Sequence, residues 1–239
     1  MNILVTGGTG GLGRAAVELL AGDKNNHVWF TYCSSEARAK EIMDNLANTS
    51  ALCCDYSDSD SVNAFVENIA EMDLDVLVNN AWVGKPDTVR FNKLATDDFS
   101  SAFQDNIIPT VAITQRVLER MRKKKSGRII TVLTSGIMGV PPLGYSLYAS
   151  TKAYLAQLVK SWSVEYAKLG ITSNAVSPDF MQTDFTADTD GRVIEQIIAA
   201  HPLKRLLVPE EVAKVIHFLV YASPQVNGVN IPITAGTKI

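Results

Sequence analysis

Short apolar runs alternate with longer helical patterns, and a glycine-rich turn joins the first run to the first helix. Together these predict an α/β chain with a doubly wound parallel sheet and helices on both faces. The 239 residues, 46% of them hydrophobic, suffice for one sizeable core, so residues 1–239 are read as a single domain.

Strand candidates are Ile3 to Thr6, Val28 to Tyr32, Ala51 to Cys54, Val76 to Val78, Arg128 to Leu133 and Thr172 to Val176. They are apolar on both faces, as strands of a sheet covered on two sides must be. Between them, stretches such as Gly13 to Leu20 and Ser61 to Ile69 space their apolar residues near the helical period. The least regular stretch is 178–205, where polar residues such as Asp188-Thr189-Asp190-Gly191 precede a short helix. Such a segment after a late strand is a candidate lid over a site.

Charge and cysteine usage exclude several classes. The net charge of −3 gives no basic face for nucleic acid. The basic cluster Arg122-Lys123-Lys124-Lys125 ends a helical pattern, where cations complement the helix dipole. Cys53 and Cys54 are adjacent, Cys33 is far off in sequence, and no CxxC occurs, so neither a disulfide frame nor a zinc site is expected. His27, His201 and His217 lack paired ligand spacing. No basic leader with an apolar stretch and no bilayer-length run is present; a reducing, cytoplasmic setting and no membrane partner are expected.

Thr6-Gly7-Gly8-Thr9-Gly10-Gly11-Leu12-Gly13 follows the first strand and opens the first helix. A dinucleotide pyrophosphate fits such a turn, because free N–H groups and the helix dipole point at it and glycine admits the backbone closely. That reading makes the chain a single-domain Rossmann fold. A dinucleotide fold selects NAD through an acidic residue at the end of its second strand. Here the strand ends Thr31-Tyr32-Cys33-Ser34-Ser35 without a carboxylate, which favours NADP(H) over NAD(H). Ser34, Ser35, Arg14 and Arg38 are the candidates for contacting a ribose phosphate.

The chemistry is carried by Tyr148-Ala149-Ser150-Thr151-Lys152 on a helical pattern, with Ser135 upstream at the end of an apolar strand. Positions i and i+4 share a helix face, so the Tyr148 hydroxyl and the Lys152 ammonium look into one pocket. A free tyrosine, with a pKa near about 10, is a poor acid at neutral pH. A nearby ammonium favours the phenolate and brings that pKa toward the working range. Ser135 is placed to hydrogen-bond a substrate carbonyl.

On these motifs the chain resembles the compact branch of the short-chain dehydrogenase/reductase family over essentially its whole length, and is most similar to 3-oxoacyl-[acyl-carrier-protein] reductases. The glycines fit two patterns of that family. Gly7, Gly11 and Gly13 match the compact branch, while Gly7, Gly10 and Gly13 match the extended branch; chain length favours the first. The resemblance implies cofactor contacts from Gly7, Thr9, Gly11, Leu12, Gly13, Ser34, Asp55, Tyr56, Asn80, Ala81, Tyr148, Lys152, Pro178 and Thr183. It implies a catalytic set of Asn106, Ser135, Tyr148 and Lys152. Tyr148 would give a proton to the developing alkoxide and Ser135 would orient the carbonyl. Lys152 would hold the nicotinamide ribose, and Asn106 would steady a water behind the lysine. Pro209-Glu210-Glu211-Val212-Ala213 matches a family helix start. A homotetramer or homodimer, burying helices around Ala102 to Met121 and Tyr148 to Leu169, is also implied.

Family glycines are replaced at Trp82, after Asn79-Asn80-Ala81, and at Asp179, after Pro178; Thr234-Ala235-Gly236 stands where the family has DGG. The basic residues that its NADP enzymes often carry at positions 10 and 33 are missing. The apolar, proline-bearing stretch from Ser135 to Tyr145 is expected to line the substrate cleft, favouring an aliphatic or cyclic body. Three functions compete: an NADP(H)-dependent ketone reductase on a small or acyl-carrier-bound substrate, an NAD-dependent alcohol or sugar dehydrogenase, and a dinucleotide-binding regulator without turnover. Retention of Tyr148 and Lys152 ranks the regulator last.

Overall fold

A computed structural model describes residues 1–86 and 88–237. The elements run β1 (Asn2–Val5), α1 (Gly11–Ala21), β2 (His27–Tyr32), α2 (Glu36–Asn45), β3 (Thr49–Cys53), α3 (Ser59–Asn68) and β4 (Val76–Asn79). They continue with α4 (Thr96–Lys124), β5 (Gly127–Val132), α5 (Ser146–Tyr166), β6 (Ile171–Pro178), α6 (Gly191–Ala200), α7 (Pro209–Tyr221) and β7 (Asn230–Ile233).

The strands form one parallel sheet in the order 3-2-1-4-5-6-7. Chain direction across the sheet therefore reverses between β1 and β4, and in such sheets ligands bind at the carboxyl ends of the strands flanking that switch. Alternate side chains feed two cores, as the period of two requires. Ile3, Val5, Val76, Val78, Ile130 and Val132 pack against α1 and α7. Leu4, Leu77 and Ile129 pack on the other face against α3 and α4, through Phe65, Ile113, Val117 and Met121. A third cluster, Ile107, Leu133, Leu155, Val159 and Ala175, ties α4 and α5 to the ends of β5 and β6.

The strand readings hold to within a residue or two, with two informative differences. β6 runs the full length Ile171–Pro178, every residue buried, although half its interior is polar. Two of those polar side chains are satisfied from the following segment, Asn174 Nδ2 donating to the Val226 carbonyl and Ser177 Oγ to Asn230 Oδ1, each at 2.8 Å, whereas Ser173 Oγ is buried without a hydrogen-bond partner among the described residues. β7 was not legible as a strand because Asn230-Ile231-Pro232-Ile233 is short and carries proline. Proline is tolerated there because β7 lies at the sheet edge, where one side of its ladder needs no donor. The basic cluster ends α4 as expected, and Lys124 Nζ donates to Asp73 at 3.0 Å and to Asp75 at 2.7 Å. Pro109 sits inside α4, so the Asp105 carbonyl loses its helical donor.

Candidate active site

The glycine turn is built by steric demand. Gly7 has φ +68°, the left-handed region, and its N–H donates to Thr31 Oγ1 at 2.8 Å. A Cβ on Gly13 would lie 2.0 Å from the Gly7 carbonyl oxygen, so only glycine lets α1 start this close to β1. No side chain caps the start of α1 at Gly10, so its first amides face the crevice with the positive end of the dipole. This chemistry suits a pyrophosphate, and the residues present fit a dinucleotide.

Thr6, which opens the glycine motif, is the hub that joins the turn to β4. Its Oγ1 accepts from the N–H groups of Asn80 and Ala81, each at 3.0 Å. Asn80 returns the tie, donating from Nδ2 to the carbonyls of Thr6 at 2.9 Å and Gly7 at 3.1 Å. Asn80 and Ala81 thus border the switch point, with Asn80 acting on the shape of the turn. Thr9 and Leu12 lie on the same turn, Leu12 buried beneath it.

At the other end of the crevice, Ser34 is exposed beyond β2. Asp55 accepts from Ser57 N at 2.9 Å and Ser57 Oγ at 2.6 Å, bonds that hold its carboxyl below the usual range. Tyr56 has its ring buried in the second core cluster, so its side chain packs and its main chain is the part that faces a cofactor. Arg14 is engaged by Glu18 and Glu41, each at 2.8 Å, and Arg38 by Asp184 at 2.5 Å.

The acid–base residues converge where β4 and β5 end. Ser135, buried, opens a short turn after β5, and its Oγ donates to Asp179 Oδ1 at 2.9 Å. Tyr148 and Lys152 lie one turn apart on α5, with Lys152 Nζ 5.9 Å from the Tyr148 ring centroid. Lys152 is only 4% exposed, and its Nζ donates to the Val132 carbonyl at 2.9 Å. Burial pushes this ammonium down to about 7. Burial also raises the Tyr148 phenol; a hydrogen bond with the Thr134 side chain works against that rise, and Tyr145 adds to it. Asn106, buried on α4, faces the loop after β4. Its Oδ1 accepts from the Val83 N–H at 2.7 Å and its Nδ2 donates to the Val83 carbonyl at 3.3 Å, clamping the loop after β4.

The segment after Pro178 arches back over the crevice. Met181 bridges to Leu207, and a Cβ on Gly11 would sit 3.1 Å from the Thr183 side chain, which places Thr183 on the glycine turn. Phe185 approaches the Tyr148 ring at 6.2 Å between centroids, and Lys85 pairs with Asp188. Phe185 and Thr134 had no motif to mark them; only their contacts with Tyr148 bring them into the site.

The family model described as enoyl-(acyl carrier protein) reductase matches residues 7–238. The 3-oxoacyl-[acyl-carrier-protein] reductase FabG of Salmonella typhimurium is 36% identical over 220 residues, covering 90% of this chain and 88% of its own. That of Aquifex aeolicus is 34% identical over 224 residues, with the same coverage. The chain belongs to the short-chain dehydrogenase/reductase family. Among solved structures, a short-chain dehydrogenase from Burkholderia cenocepacia in complex with NADP superposes with a TM-score of 0.85 at 27% identity, covering 98% of this chain and 96% of that one. ElxO with NADP bound gives 0.85 at 30% identity, covering 98% and 97%.

Within this dehydrogenase/reductase fold, two of the departures from pattern, Trp82 and Asp179, meet the acid–base residues. Trp82 lies with its ring centroid 3.9 Å from Lys152 Nζ and 5.3 Å from the Tyr148 ring, edge-on at 83°. Asp179 takes the Ser135 hydrogen. Ala235 keeps a left-handed backbone, φ +49°, although it carries a side chain.

Proposed function

We propose that the protein is an NADP(H)-dependent oxidoreductase that reduces a ketone to a secondary alcohol, with a 3-oxoacyl thioester on acyl carrier protein as the leading substrate class. The observation that carries this reading is the buried Lys152 ammonium one helical turn from Tyr148, at the carboxyl ends of strands that flank the glycine crevice. The reductases most similar in sequence take 3-oxoacyl groups on acyl carrier protein by name, and NADP occupies similar structures. The exposed Ser34 and the absence of a carboxylate at the tip of β2 leave room for a ribose phosphate.

The pyrophosphate would lie on the amides opening α1, held by Gly7, Thr9, Gly11, Leu12 and Gly13. Ser34 and Asp55 would face the adenosine, and Asn80, Ala81, Pro178 and Thr183 the nicotinamide half. Bound there, the dinucleotide supplies a hydride to the carbonyl carbon. Tyr148 donates its phenolic proton to the oxygen that gains charge, and Ser135 orients that oxygen. Lys152 stabilises the phenolate left behind, an interaction that strengthens as the charge develops. Asn106 serves the site by fixing the loop that carries Trp82. Segment 178–205 acts as the lid, with Thr183 and Phe185 as its inner face.

The substrate body would rest on the apolar shelf after Ser135. A concavity of about 470 Å³ there is lined by Phe91, Pro141, Pro142, Leu143 and Tyr145, and Tyr145 meets the Tyr148 ring edge-on at 5.8 Å. Exposed apolar groups on α4 and α5, Phe103, Ile108, Tyr154 and Val164, support a homotetramer or homodimer built on those helices. The free thiols of Cys33, Cys53 and Cys54 support a reducing, cytoplasmic setting. No helix among the described residues is long and apolar enough to cross a membrane.

Oxidation of NADPH and of NADH, followed by nicotinamide absorbance over a panel of 3-oxoacyl thioesters and cyclic ketones, tests the reading. Tyr148→Phe is expected to lose on the order of a hundredfold or more in kcat while still binding cofactor. Intact turnover in that variant refutes the mechanism, and light scattering at micromolar concentration tests the oligomer.

A further inference from the structure

An ammonium has three N–H donors and a strong preference for water, so a buried lysine needs partners. Lys152 has one in the Val132 carbonyl, and no acidic side chain among the described residues pairs with it. What lies against the rest of the charge is an aromatic face: the Trp82 centroid is 3.9 Å from Nζ, well inside cation–π range, and tryptophan is the strongest partner of this kind. The ring cannot drift away easily. The next residue, Val83, is held at both its N–H and its carbonyl by Asn106, and the indole packs on the Ile107, Leu133 and Leu155 cluster. Its other contact is edge-on to Tyr148, so one side chain touches both members of the acid–base pair.

We propose that Trp82 is a positioning residue that caps the Lys152 ammonium with its π face, keeping that group charged and fixed beside Tyr148 inside a dry site. A glycine, usual at this position in the family, provides no such face. Burial drives the lysine toward its neutral form, and the quadrupole of the indole opposes it, because only the charged form is attracted. The titratable groups around this ammonium are Tyr148 on α5, with Tyr145 edge-on beyond that ring, and Asp179, reached through Ser135 from the end of β6. β5 contributes the Val132 carbonyl, and α4 presents Asn106 and Ile107 to the Trp82 loop; neither titrates. The acid–base role of the pair rests on the ketone-reductase reading, whereas the cap itself does not.

The test is a direct NMR titration of the Lys152 side chain in the full-length protein with isotope-labelled lysine, the signal assigned by its loss in Lys152→Met. Trp82→Leu keeps an apolar filler without a π face, and is expected to lower the Lys152 pKa by about one unit, the scale of a desolvated cation–π contact. Trp82→Phe is expected to fall between Trp82→Leu and the parent. Should Trp82→Leu fail to fold, biosynthetic replacement of all tryptophans by progressively fluorinated tryptophan keeps the shape and weakens the quadrupole, and the titration should move down with each fluorine. A Lys152 titration that stays put in Trp82→Leu, or across the fluorinated series, overturns the cap. The basic limb of kcat/KM for ketone reduction should move with the titration. If the titration moves and that limb does not, the cap stands and the assigned role of Lys152 in turnover falls.

Discussion

The Ser135 hydroxyl gives its hydrogen to Asp179, Oγ to Oδ1 at 2.9 Å, and that bond determines what the serine can offer a substrate. A hydroxyl has one hydrogen to donate. Asp179 is itself held in place, its N–H donating to the Ile233 carbonyl at 3.1 Å and its Oδ2 accepting from Thr237 at 3.2 Å. Where Ser135 orients a ketone by donating to its oxygen, the carboxylate competes for the same hydrogen. Asp179→Asn presents an amide N–H to Ser135 Oγ and releases that hydrogen. The expected outcome is a rise in kcat/KM for ketones of about three- to tenfold, mostly through KM, the scale of one neutral hydrogen bond. Steady-state kinetics at saturating NADPH checks it. A tenfold fall instead would mean that the carboxylate holds the serine in its working rotamer.

Lys152 makes stability depend on pH in a definite direction. Burial lowers the folded-state pKa to about 7, against about 10.4 for an exposed lysine. Between those values the unfolded chain binds a proton that the folded chain lacks, so this group makes stability rise with pH across the window. Below it both states are protonated and the cost of the buried charge is constant. Lys152→Met removes the dependence. Relative to its value at about pH 6, the stability of the variant minus that of the parent should shrink by on the order of 4 kcal/mol by about pH 10. Urea midpoints across that range measure it, and a constant difference would show that the ammonium is not desolvated.

Arg38 stands between the adenosine end of the crevice and the lid. Its Nη1 pairs with Asp184 Oδ2 at 2.5 Å, and both side chains are more than half exposed, so the pair itself contributes little to stability. A 2′-phosphate would compete with Asp184 for this guanidinium. Asp184→Asn is therefore expected to tighten NADPH binding severalfold, and Arg38→Ala to weaken it about tenfold, the range for a charged hydrogen bond. NADH affinity should stay within about twofold in both, since it lacks the phosphate. Fluorescence titrations with the two cofactors decide it. Equal effects on both would remove Arg38 from phosphate recognition.

What the sequence made legible follows from which residues are constrained locally. The glycine turn, the Tyr148–Lys152 spacing and the apolar strand runs each reflect a demand met within a few residues, so pattern alone locates them. Thr134 and Phe185 serve the site through contacts with Tyr148 made from another element or from the lid, and no motif of their own marks that role. Trp82 and Asp179 were visible as departures, but their partners Lys152 and Ser135 lie far along the chain, and only the fold brings them together. Tyr56 shows the converse. Its neighbour Asp55 lies at the end of β3 facing the crevice, yet the next side chain turns into the core.

Ala235 carries strain that one substitution should relieve. Its φ of +49° is left-handed, a conformation that crowds Cβ against the backbone by about 1 kcal/mol or more in an L-residue. The turn is fixed by the Thr237 N–H donating to the Thr234 carbonyl at 3.0 Å, so the backbone cannot easily relax. The side chain is exposed, and its methyl has little burial to lose. Ala235→Gly removes the crowding but adds freedom to the unfolded chain, which returns about half of the gain. A net stabilisation of about 0.5 kcal/mol is expected, equivalent to a melting temperature about 1–2 °C higher for a chain of this size. Ala235→Val should move the other way by more than about 1 kcal/mol, because a branched Cβ tolerates this region least. Parallel thermal and urea unfolding of the two variants measures the pair. If Ala235→Gly proved less stable than the parent, the left-handed turn would not be a source of strain.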